Sequence, residues 1–124
     1  MIAVGVVALL LGSIGPGRQW YRRWSYHRNE AAMFARFEAT ERLNHTRERR
    51  AAGDRGKIRA GLMRTREFVV HGASEQERMI DNVVAFHRQR AEMSLAAARS
   101  WAEKRRDRET AAFWCWDPFA PDVP

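Results

Sequence analysis

Four histidines, one cysteine and 15 carboxylates are the side chains that could serve as acids, bases, nucleophiles or metal ligands. The histidines stand at His27, His45, His71 and His87. No two of them, and none with Cys115, have the three- or four-residue spacing of a helical metal pair. His87 falls on an apolar stripe and reads as a packed histidine. Cys115, between Trp114 and Trp116, reads as a packing residue. It is the only cysteine, so no intrachain disulfide is available. Gly56-Lys57 looks like the end of a phosphate-binding loop, but Ala51 and Ile58 break the GxxxxGK[ST] pattern at two positions. The carboxylates are scattered through helical charge patterns. The sequence therefore predicts no catalytic residues, no metal ligands and no cofactor.

For binding, the cations matter most. The net charge is +7, and 20 of the 22 cations are arginine. Residues 18–66 hold 14 Lys+Arg against 5 Asp+Glu, whereas residues 67–124 hold 8 against 10. Arginine makes planar, bidentate contacts and stays charged when partly buried. Arg42–Arg66 carries nine cations and is a candidate for phosphate contact. It has no aromatic on which a base could stack and matches no nucleic-acid module. A solvated face or an acidic partner is the expectation for this run, with nucleic acid the less favoured alternative.

The elements that would position these groups begin with an apolar end. Residues 1–17, MIAVGVVALLLGSIGPG, carry no charge, and all 37 charged side chains follow Gly17. The next residues, RQWYRRWSYHR, combine cations with amphipathic aromatics, as at a membrane interface. The expectation is an N-terminal transmembrane helix, with Arg18, Trp20, Tyr21, Arg22, Arg23 and Trp24 forming a headgroup belt. Gly5, Ala8 and Gly12 share one helix face and could admit a second transmembrane helix. The run is short, since a span needs about 20 apolar residues, and Gly15-Pro16-Gly17 interrupts it. A buried helix and a cleaved segment stay open as alternatives.

Residues 18–52 read as one basic helix, with Glu38 and Arg42 forming an i,i+4 pair. Such a polar helix must lie on another surface or at an interface. Residues 53–73 read as a linker containing a short helix, since Gly53-Asp54-Arg55-Gly56 signals a turn. Residues 74–112 read as a long amphipathic helix, opened by a Ser74/Glu77 capping box. Its stripe is Ile80, Val83, Val84, His87, Ala91, Leu95, Ala98 and Trp101/Ala102. Alanines make the stripe thin, which suits close packing along a larger partner. Residues 113–124 form an aromatic, proline-rich docking tail with Phe113, Trp114, Trp116 and Phe119, and Trp101 joins them as a candidate partner contact. The predicted fold is all-α: a transmembrane helix followed by long, extended amphipathic helices, without a compact independent core.

A family resemblance follows from two stretches. The MWFE-type accessory subunit of mitochondrial respiratory complex I likewise begins almost directly with a hydrophobic span and a basic, aromatic collar. It then carries a motif like M-E-R-D-R-R-x-x-G, which Thr46-Arg47-Glu48-Arg49-Arg50-Ala51-Ala52-Gly53 resembles. The departures are Thr46 for Met, one fewer residue before the arginine pair, and a long extension after residue 56. Met1–Gly12 is similar to the anchor of the GRIM-type complex I subunit. Both resemblances imply a non-catalytic accessory subunit of an inner-membrane respiratory complex, complex I first and ATP synthase or another respiratory complex second. Implied partners are neighbouring subunits and anionic lipids such as cardiolipin. Implied localisation is the mitochondrial inner membrane, single-pass, with the bulk of the chain on the matrix side. The alternative is a mitochondrial ribosomal protein whose arginines meet rRNA.

Overall fold

A computed structural model describes residues 3–7 and 15–114 of the chain. Among the described residues the secondary structure is helical, with no strand. Residues 3–7 are helical and exposed. Four further helices follow: α1 (Gly15–Gly53), α2 (Arg55–Leu62), α3 (Arg66–Val69) and α4 (Ala73–Phe113). The all-α part of the expectation holds. The transmembrane part is overturned, because no helix among the described residues is long and apolar enough to cross a membrane. The physical reason is visible in α1. It starts at Gly15, and Arg18, Arg22, Arg23 and Arg28 enter within its first four turns, so helix length and apolar character never coincide. The single-pass inner-membrane placement, with the bulk of the chain on the matrix side, falls with it. Of the proposed packing face, Gly5 is exposed and a Cβ there would meet nothing within 4 Å. Ala8 and Gly12 lie outside the described residues, as do Cys115, Trp116 and Phe119.

The chain divides into two units, residues 38–100 and residues 1–37 with 101–124. In the first, the C-terminal part of α1 runs antiparallel to α4, with α2 and α3 filling in. Its core is Ala52, Phe68, Ile80 and Val84, with Ile58, Leu62 and Met79 packed against it. Phe68 and Ile80 are fully enclosed, at 1% and 0% exposure. This small core is absent from the expectation of extended helices alone. Phe68 enters it from α3, a four-residue helix that cannot persist by itself. Its placement is fixed by Gln76, whose side chain donates to the Phe68 carbonyl at 3.1 Å.

Along α4 four of the six buried residues, Val84, Ala91, Ala98 and Ala112, are spaced by seven or fourteen, and Ile80 and Ala102 lie one turn from this row. Seven residues make nearly two turns, so these positions line one seam. Alanine there permits close backbone approach, and the seam faces α1 of the same chain within each unit. On α1, Ala31 and Ala52 are buried, while the intervening seam positions Glu38, His45 and Glu48 are polar and only partly covered. Those polar groups find partners: His45 Nδ1 lies 2.7 Å from the Ala91 carbonyl oxygen, and His87 Nδ1 lies 2.6 Å from Glu48 Oε2.

The α1–α2 junction is a capped turn. Asp54 is the N-cap of α2, and its carboxylate accepts from the Lys57 backbone N–H at 3.0 Å. The expected Ser74/Glu77 box does not form the start of α4. The helix begins one residue earlier at Ala73, and Glu77 is drawn instead to Arg55 and Arg59.

Candidate functional site

A concavity lies in the unit of residues 38–100, between the end of α1, α2 and α4. It is a groove of about 930 Å³. Ala51, Ile58, Leu62 and Val83 give it an apolar floor, and Arg47, Arg50 and Lys57 a cationic rim. Each wall follows from local sequence. Arg47, Arg50 and Ala51 recur at three- and four-residue steps on the last turns of α1. Lys57, Ile58, Gly61 and Leu62 recur likewise on α2, and Gly61 leaves the wall open, since a Cβ there would meet nothing within 4 Å.

The other cations of this basic stretch divide by location. Arg55 donates to Asp81 at 2.6 Å and to Glu77 at 2.9 Å, and Arg59 also pairs with Glu77. These hydrogen bonds hold the Glu77 carboxyl below its usual range and raise Arg55. The cluster fastens α2 to α4. Arg42 pairs with Glu38 at 3.1 Å, the i,i+4 contact read from the sequence. Glu48 receives His87 and, at 3.7 Å, Arg90. The groove's three cations are thus set apart from the ion pairs that join the helices.

In the other unit, α1 and α4 meet through aromatic and ionic contacts. Trp101 lies against Phe34 (centroids 5.2 Å apart) and Phe37 (4.8 Å), with the Lys104 ammonium 4.5 Å from its ring centre. Arg108 pairs with Glu30 at 2.7 Å and sits 6.0 Å from the Tyr26 ring centre. Glu30, bonded to the Tyr26 hydroxyl, raises the tyrosine pKa. Burial, helped by Arg108, lowers that of His27, while Glu30 acts in the opposite sense.

The residues expected to form a headgroup belt are brought together in part. Trp20 and Trp24 stack at 6.3 Å, Tyr21 meets Trp24 at 6.0 Å, and Arg28 lies 5.8 Å over Trp24. Arg18 and Arg22 are exposed, but Arg23 is buried at 6% exposure. Of the expected docking residues, Trp101 is taken up by its own chain. Phe113 and Trp114 meet edge to face at 4.8 Å, and both remain exposed. The groove itself escaped sequence reasoning. The run of cations is legible, and Ile58 and Leu62 have helical spacing that Gly61 weakens, but nothing in the sequence places them beside Val83 as one apolar floor.

Among the described residues no three His, Cys, Asp or Glu side chains gather as a metal site. No family model, curated protein or solved structure matches the chain.

Proposed function

We propose that the chain is a non-catalytic accessory subunit of a larger assembly, with respiratory complex I the first candidate on the strength of the basic, aromatic collar and the Thr46–Gly53 stretch that resemble the MWFE-type subunit. It attaches through helix faces and aromatic side chains. The observation that carries this reading is a set of large exposed side chains in one unit. Phe113 and Trp114 are 71% and 55% exposed, and Trp20, Tyr21 and Trp24 are 41%, 55% and 37% exposed. Aromatic surface of this extent is costly in water and typical of protein interfaces. The ionised contacts between helices serve alignment, which suits a brace.

Native separation of a cell extract carrying the tagged chain tests the proposal. The chain is expected to migrate within a multi-protein particle containing NADH dehydrogenase activity. Migration as a single chain would overturn the reading. Sedimentation with ribosomes, lost on RNase treatment, would replace it with the rRNA-binding alternative.

A further inference from the structure

We propose that the groove between α1, α2 and α4 binds an anionic amphiphile: a single alkyl chain with a carboxylate or phosphate head. The chain would lie on Ile58, Leu62 and Val83, and the head would meet Arg47, Arg50 and Lys57. Four observations support this occupant. The volume, about 930 Å³, falls within the range of small-molecule sites. Apolar floor and cationic rim occur in one concavity, which fits a ligand that is itself divided into apolar and anionic parts. The nearby arginines Arg55 and Arg59 are engaged by Glu77, so the helices are joined without using the rim. Among the described residues Asp54 is the one carboxylate in the lining, and it is occupied in capping α2 at the Lys57 backbone N–H. The rim therefore keeps a positive balance towards an incoming head.

The inference stands apart from the accessory-subunit reading, since the groove would take its ligand whether or not the chain is assembled. Two features define the expected binding. Each methylene laid on the floor adds about 0.8 kcal/mol at most, or roughly fourfold in affinity. Each charge-assisted contact to the head adds about tenfold or more.

The test uses the full chain, titrated below the micelle concentration and followed by calorimetry and by methyl NMR of Ile58, Leu62 and Val83. The probes are decyl phosphate, dodecyl phosphate, laurate, dodecyltrimethylammonium and inorganic phosphate. Dodecyl phosphate or laurate should bind and shift those methyls, and whichever is tighter identifies the head. Decyl phosphate should bind severalfold more weakly than its dodecyl counterpart. Gly61→Trp, which projects a ring from a position with open space around it, should abolish binding while helicity by circular dichroism is retained. Lys57→Glu, on an exposed position, should weaken the anionic probes about tenfold. Equal binding of dodecyltrimethylammonium, equally tight binding of inorganic phosphate, or unchanged binding by both variants would overturn the proposal.

Discussion

Ile80→Ala is the perturbation that most directly interrogates the core of residues 38–100. Ile80 is at 0% exposure and packs in one cluster with Ala52, Phe68 and Val84. The substitution removes three carbons from a fully enclosed site. At about 0.8 kcal/mol per buried methylene the transfer loss is about 2.4 kcal/mol, before any cavity contribution. Incomplete collapse around the vacated space takes the expected cost to about 3–4 kcal/mol. Collapse is hindered here because Phe68 is fixed through the Gln76 hydrogen bond and cannot simply follow. Urea unfolding followed by circular dichroism reads the effect. With a slope of about 1–3 kcal/mol per molar, the midpoint should fall by more than 1 M. Met93→Ala, at a position 64% exposed, is the control and should stay within about 0.5 kcal/mol of the parent. A loss below about 1 kcal/mol for Ile80→Ala would refute the packing described for this unit.

Other expectations rest on single contacts. Asp54→Ala removes the cap of α2 and should cost about 1 kcal/mol, read as a lowered urea midpoint. Gly61→Ala places a methyl in open space in the last turn of α2 and should raise stability by up to about 1 kcal/mol, seen as a higher Tm. Glu77 has a depressed folded pKa. Its contribution is therefore complete above the ordinary carboxylate range and lost as pH falls through the depressed value, and Glu77→Gln should flatten stability over that acidic interval. His27 also has a depressed folded pKa, with Tyr26, Glu30 and Arg108 around it. Its neutral form favours the fold, so stability should fall as pH drops below the ordinary histidine range, and His27→Gln should remove that slope in urea midpoints taken between pH 8 and 5.

The sequence showed the helices more clearly than their partners. Apolar periodicity located the α4 stripe, and Ile80, Val84, Ala91, Ala98 and Ala102 are buried as it required. The alanine spacing points to close packing along a larger partner, whereas within each unit the helix packed against it is α1 of the same chain. As a partner α1 was hidden because its seam is polar: His45 and Glu48 carry no hydrophobic signal, and only the geometry shows them meeting the Ala91 carbonyl and His87. Glu77 misled in the opposite way. Its spacing from Ser74 fits a local cap, but two arginines from α2 offer a stronger electrostatic partner. The apolar N-terminal run suggested a span because it precedes a collar of tryptophan and arginine. In the structure the collar belongs to α1 itself, and its cations prevent any sufficiently long apolar stretch of that helix. Phe68 carries no core signal in the sequence, because a four-residue helix gives no periodicity to read.

The accessory-subunit reading is tested most directly by measuring the amount of assembled complex I after the chain is depleted and then resupplied. If the chain braces that complex, depletion lowers the assembled amount and the parent chain restores it. A Phe113→Ala/Trp114→Ala variant with unchanged helicity should restore it poorly. An unchanged amount of complex after depletion would contradict the accessory-subunit role.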